Sequence, residues 1–153
     1  QREGINLNTT LNSDVCCLSP LLPIIENYDS IFAMKDPTRG GLAAALNEWS
    51  RKSQKGIWIQ EEKIPIKKEV QAIADILGLD PFEIANEGKA IICVAEPDAK
   101  NLLKEIRSTP IGISAQIIGE VRKDPPKKVI LETIIGGTRF VEKPLGEIVP
   151  RIC

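Results

Sequence analysis

The sequence predicts an α/β domain with helices layered on a mixed sheet, and three observations point to it. Apolar residues recur at helical spacing in three segments, starting near residues 38, 67 and 98. Short apolar runs, Ile31-Phe32-Ala33-Met34, Ile57-Trp58-Ile59 and Ala90 to Ala95, fall between those segments at strand length. At 153 residues, 42% hydrophobic and 27% charged, the chain can bury a core of that size.

Taken in order, residues 5–11 alternate like a strand or an extended lead-in, and Pro20 to Asn27 read as a short helix. After the strand at Ile31–Met34, a helix begins near Asp36-Pro37, with Asp36 as its cap and Pro37 in its first turn. Leu42, Ala45, Leu46 and Trp49 share its buried face, and Gly56 marks its stop. The strand at Ile57–Ile59 leads to a helix striped by Val70, Ile73, Ala74 and Leu77 and closed by Gly78. Asp80-Pro81 signals a very short helix. The strand Ala90–Ala95 precedes Glu96-Pro97 and a stripe of Ala99, Leu102, Leu103 and Ile106. Two strands follow, Gln116 to Val121 and Lys128 to Ile135. Asp124-Pro125-Pro126-Lys127 between them predicts a hairpin. Gly136-Gly137-Thr138-Arg139 bends the chain into a last short strand. The resulting layering is partly ferredoxin-like.

Composition narrows the chemistry. A formal charge of -1 offers no basic field for nucleic acid, and no apolar run approaches membrane-spanning length. The cysteines at 16, 17, 93 and 153 match neither a zinc spacing nor a disulfide framework, so reduced thiols in the cytoplasm are expected. Histidine is absent, which removes Ser-His and Cys-His pairs and imidazole metal sites. Proton transfer is left to a carboxylate, a lysine or Tyr28. The start, Gln1-Arg2-Glu3-Gly4, reads as a chain entered partway.

The chain closes on Pro150-Arg151-Ile152-Cys153. Pro150 neither continues a helix nor donates to a ladder, so residues 147–153 are expected to form a flexible tail with a thiol at its tip. The neighbouring α-carboxylate keeps such a thiol near or above its ordinary pKa of about 8.5, so activation must come from outside the tail. Either the tail carries this sulfur between sites or it is a frayed end.

Three internal stretches are also candidates. Asp36-Pro37-Thr38-Arg39-Gly40-Gly41 lies between a strand and a helix. Thr38, Arg39 and the glycine backbone suit an anion, while a glycine pair also suits close helix–sheet packing. Asn86-Glu87-Gly88-Lys89 sets a carboxylate at a strand mouth, as a general base or as an ordinary polar loop. Gly136-Gly137-Thr138-Arg139 reads equally as a bulge, a turn or a polar site. Cys93, within an apolar strand, reads as core.

Together, Asp36-Pro37-Thr38-Arg39-Gly40-Gly41-Leu42-Ala43, Ala85-Asn86-Glu87-Gly88-Lys89, Gly119-Glu120-Val121, Gly136-Gly137-Thr138-Arg139 and Pro150-Arg151-Ile152-Cys153 resemble the C-terminal part of the HypE family. These are hydrogenase expression and formation proteins of the PurM-like, aminoimidazole-ribonucleotide-synthetase-related superfamily. The resemblance covers essentially the whole chain and implies a PurM C-terminal-domain-like fold. It implies a role in NiFe hydrogenase maturation, in which a carbamoylated terminal cysteine is dehydrated with ATP to a thiocyanate for the cyanide ligands of the iron. Cys153 would be the carrier and Glu87 the base, with burial tuning its carboxylate. Asp36, Thr38, Arg39, Gly40 and Gly41 would face the nucleotide phosphates.

The same resemblance implies ATP and Mg as cofactors, held mainly by an N-terminal half that this sequence does not contain, and no metal site here. Its implied partners are the carbamoyltransferase HypF, a HypC–HypD complex and a second copy in a homodimer. It divides the chain into a lead-in at 1–15, a domain at 16–146 and the tail at 147–153. The other readings are a sister ATP-dependent synthetase, such as a selenophosphate synthetase, and a non-catalytic binding domain.

Overall fold

A computed structural model describes residues 13–144. The lead-in before residue 13, the tail at 147–153 and Cys153 lie outside the described residues. After a 3₁₀ turn at Ser19–Leu21, the elements are α1 (Leu22–Ile25), β1 (Ile31–Lys35), α2 (Gly41–Ser53), β2 (Gly56–Gln60), α3 (Lys68–Leu77), β3 (Ile91–Val94), α4 (Glu96–Arg107), β4 (Gly119–Arg122), β5 (Val129–Glu132) and β6 (Thr138–Phe140). Further 3₁₀ turns span Glu61–Lys63 and Pro81–Glu83.

The strands form two sheets. A four-stranded mixed sheet runs β4-β2-β5-β6, and β1 pairs with β3 in an antiparallel ribbon. The expected α/β class therefore holds, with the mixed sheet flanked by helices. The expected hairpin between β4 and β5 does not form. β2 lies between them, antiparallel to β4 and parallel to β5. Burial explains the order. Val129, Ile130 and Leu131 are all buried, as a central strand requires, whereas β4 is an edge with Glu120, Val121 and Arg122 exposed. Two strand spacings are about 10 Å, well within reach of the Pro-rich link. The link crosses the start of β2, where a Cβ on Gly56 would lie 2.7 Å from the Pro125 carbonyl and the Trp58 indole donates to Asp124 O at 3.0 Å.

Two hydrophobic clusters hold the layers. The larger joins Ala43 and Leu46 of α2 to Ile57, Ile59, Val129 and Leu131 of the sheet, with Phe82 and Val141. The smaller joins Leu21 to Leu102 and Ile106 of α4, beneath Ile92 and Val94. Ile91 packs on the first cluster and Ile92 on the second, so the alternation of β3 stitches the two together. Asn47, buried in α2, donates to Ala43 O at 2.9 Å and to Val141 O at 2.8 Å, which satisfies its amide and ties the end of the sheet to the helix.

Candidate functional site

The helix expected from Asp36-Pro37 starts instead at Gly41. Its cap is Gly40, in the left-handed region at φ +68°, and Asp36 makes no capping bond. Gly41 is also left-handed, at φ +60°, and buried. A Cβ there would sit 2.5 Å from the Phe82 carbonyl oxygen and 2.6 Å from that of Ile84. No side chain fits in that gap, and few residues other than glycine adopt that backbone. Gly41 thus serves close packing of α2 on the backbone of Phe82 to Ile84, whereas a Cβ on Gly40 would meet Ala44 Cβ at 2.8 Å and Pro144 Cγ at 3.1 Å. The Gly41 N–H is already donated to Thr38 O, at 3.3 Å. Thr38 is half-buried, and Asp36 and Arg39 are exposed, so those three side chains remain accessible.

That packing brings a second loop alongside. The Asn86 N–H donates to Pro37 O at 2.9 Å, and the Asn86 amide donates to Ile84 O at 2.8 Å. Glu87, the next residue, therefore follows directly on this contact with the 36–41 loop. Its surroundings differ from expectation in one respect. Glu87 is exposed, so the burial asked of a working base is not supplied by the described residues.

The glycine after it opens space for backbone. A Cβ on Gly88 would fall 1.7 Å from Asp14 O and 2.8 Å from Cys16 N, so the segment at 14–16 crosses directly over it. Lys89 secures the crossing with bonds of 2.9 Å to Asp14 and 2.6 Å to Asn86. Burial pushes the Asp14 carboxyl up, but the Lys89 ammonium and the Glu87 backbone outweigh it and hold the group below its usual range. Nothing in the sequence pattern marked Asp14 as the partner of Lys89, because the two meet only in the fold.

Cys16 and Cys17 are exposed. The Ser19 hydroxyl, 3.1 Å away, draws the Cys17 thiol below its ordinary value. Cys93 is half-buried in β3, and burial pushes its thiol up, in keeping with a core role. Neither of two shallow depressions on the surface, one at Gln60, Glu132 and Thr133 and one at Tyr28 and Glu105, includes Glu87 or the 36–41 loop. Among the described residues no cluster of three or more His, Cys, Asp or Glu side chains is placed to hold a metal ion. No described helix is long and apolar enough to cross a membrane.

Comparison with known proteins agrees with this architecture. The family described as AIR synthase related protein, C-terminal domain, matches residues 18–132. A protein of Methanocaldococcus jannaschii named for hydrogenase expression/formation is 51% identical over 99% of this chain and 45% of its own length. The carbamoyl dehydratase HypE of Rhizobium leguminosarum bv. viciae is 42% identical over 100% of this chain and 44% of its own length. The chain thus spans about half the length of the curated relatives it matches. Among solved structures, the hydrogenase maturation protein HypE in complex with ATP superposes with a TM-score of 0.90 at 34% identity, covering 99% of this chain and 47% of that one. A HypE–HypF complex gives a TM-score of 0.86 at 38% identity, over 94% of this chain and 47% of that chain. The chain belongs to the AIR synthase related protein C-terminal domain family and stands within it alongside the HypE proteins.

Proposed function

We propose that this chain is the C-terminal portion of a carbamoyl dehydratase that makes the cyanide precursor of NiFe hydrogenase iron. The observation that carries the proposal is the similarity along the whole chain to proteins named carbamoyl dehydratase HypE. The side-by-side placement of the Glu87 loop and the 36–41 loop supports it independently.

In this reading Cys153 accepts a carbamoyl group on sulfur. ATP supplies the phosphoryl group that lets the carbamoyl oxygen leave as phosphate. Glu87 takes the two nitrogen protons in turn, releasing the first to solvent before accepting the second, and breaking the C–O bond leaves S–C≡N. Of the groups left by the absence of histidine, this reading takes the Glu87 carboxylate as the base. Arg39 and Thr38, both accessible, fit a phosphate by charge and hydroxyl, and Asp36, Gly40 and Gly41 complete the same phosphate-facing loop, with Gly41 also serving close packing. Mg and most of the ATP contacts belong to a preceding half, joined through residues 1–15 to a domain at 16–146. In this reading the stretch 147–153 delivers the carbamoyl group, so its reach would set the effective concentration at the ATP site.

The partners in this reading are HypF as carbamoyl donor, a HypC–HypD complex as acceptor and a second copy in a homodimer, all in the cytoplasm. A solved HypE–HypF complex supports the first of these.

The test is Cys153→Ala in the full-length protein. Mass spectrometry of the tail after incubation with carbamoyl donor and transferase should show carbamoylation in the wild type and none in the variant. If Cys153 is a carrier and not a packing residue, stability should change by no more than about 0.5 kcal/mol. Because Cys16 and Cys17 are exposed, the label must be mapped by peptide. Carbamoylation that persists in the alanine variant defeats the assignment.

A further inference from the structure

The Gly136-Gly137-Thr138-Arg139 stretch has no part in the chemistry above. Its glycines are explained by a tight turn: Gly136 is left-handed at φ +85°, Thr133 N donates to Gly137 O at 2.8 Å, and Gly137 N donates to Thr133 Oγ1 at 3.0 Å. Arg139 is not explained by that turn. It extends from edge strand β6 to Asp80, donating to Oδ2 at 2.9 Å, and its guanidinium lies 5.7 Å from the centre of the Phe82 ring.

Asp80 is the N-terminal cap of the Pro81–Glu83 turn, its Oδ1 accepting from Phe82 N at 2.9 Å. Both oxygens of that carboxylate are therefore used, one for the turn and one for Arg139. The carbonyls of Phe82 and Ile84 are the surface on which Gly41 packs. Ile84 O also accepts from the Asn86 amide, and Asn86 N reaches Pro37 O. A series of contacts leads from Arg139 through Asp80 to Phe82, across Gly41 to Ile84, and on to Asn86, the neighbour of Glu87.

We propose that Arg139 is a positioning residue: by clamping Asp80 and covering Phe82, it holds the 80–86 segment, and Glu87 with it, against the 36–41 loop. The inference deepens the proposed function and rests on it for the role of Glu87. The pair is partly exposed, with side-chain exposures of 45% and 31%, so its weight in global stability is small and its effect is local. A planar guanidinium can bond the carboxylate and lie over the ring at once, which an ammonium does less well.

Hydrogen exchange on this chain tests the clamp without any activity. In Arg139→Gln, the amides of Phe82 and Asn86 should exchange about tenfold faster, while those of Ile59 and Leu131 in the core strands stay unchanged. Arg139→Lys, which keeps the charge, should recover part of the protection. In the full-length protein, Arg139→Gln should lower the rate of thiocyanate formation at saturating ATP about tenfold, since small misplacements of a base are expensive in rate. Carbamoylation of Cys153 should not change. Unaltered exchange at Phe82 and Asn86 overturns the proposal, as does faster exchange spread evenly through the core strands. Failure of the wild type itself to form thiocyanate overturns the proposed function instead, and the exchange measurement then decides the clamp alone.

Discussion

Replacing Gly41 by alanine puts a methyl group where the structure has none to spare. The added carbon would lie 2.5 and 2.6 Å from two backbone carbonyl oxygens, Phe82 and Ile84. Ordinary C···O contacts are about 3.3–3.6 Å, so the start of α2 and the Pro81–Glu83 turn must separate by about 1 Å. Backbone oxygens cannot swing aside as a side chain end does. Holding alanine in the left-handed region adds about 1–2 kcal/mol, and overpacking adds about 1–3 kcal/mol, for a total of about 2–5 kcal/mol. That is a large share of the ~5–15 kcal/mol typical of a domain.

Gly78 supplies the control. It has nearly the same φ, +65°, with nothing within 4 Å of its missing Cβ. Gly78→Ala therefore carries the backbone penalty alone, and the unfolded-chain entropy gained by either substitution cancels between them. Urea denaturation of the two variants isolates the steric contribution as the difference of their unfolding free energies, expected at about 1–3 kcal/mol. If Gly41→Ala lies within about 0.5 kcal/mol of Gly78→Ala, the packing account of this glycine is refuted.

Three further outcomes are expected. Glu48 accepts from Lys35 and Lys52, and hydrogen bonding to Lys35 foremost pulls its carboxyl down to about 2. A depressed carboxyl stabilises the fold above its unfolded value of about 4.3, and that contribution is lost as pH falls toward 2. Urea midpoints measured from pH 6 to pH 2 should thus fall more gently in Glu48→Gln than in the wild type, and identical slopes would count against the ion pairs. Glu87→Gln in the full-length protein should abolish thiocyanate formation while leaving Cys153 carbamoylated, and wild-type turnover would send the proton elsewhere. Calorimetry of this chain alone with Mg-ATP should show weak or no binding, because the resemblance assigns the metal-holding carboxylates to another half. A micromolar affinity would move the nucleotide site into this domain.

What the sequence determined by itself was local. The stripes of α2, α3 and α4 locate those helices within a few residues, because a buried face repeats every turn whatever it packs against. The expected starts near 38, 67 and 98 compare with Gly41, Lys68 and Glu96. Residue types at the candidate site were legible for the same reason, since a glycine pair, a threonine, an arginine and a carboxylate announce themselves singly.

Everything that depends on two distant segments meeting was decided by the tertiary structure. Asp36-Pro37 satisfies every local rule for starting a helix, yet α2 starts at Gly41, where it packs against Phe82 and Ile84. The link Asp124-Pro125-Pro126-Lys127 suits a hairpin as well as a crossover. Only the two-sided burial of β5 against β2 selects the latter. Likewise Asn86 on Pro37, Asp14 on Lys89 and Arg139 on Asp80 follow no spacing rule. Periodicity encodes which face of an element is buried, whereas the partner of that face follows from burying all such faces at once.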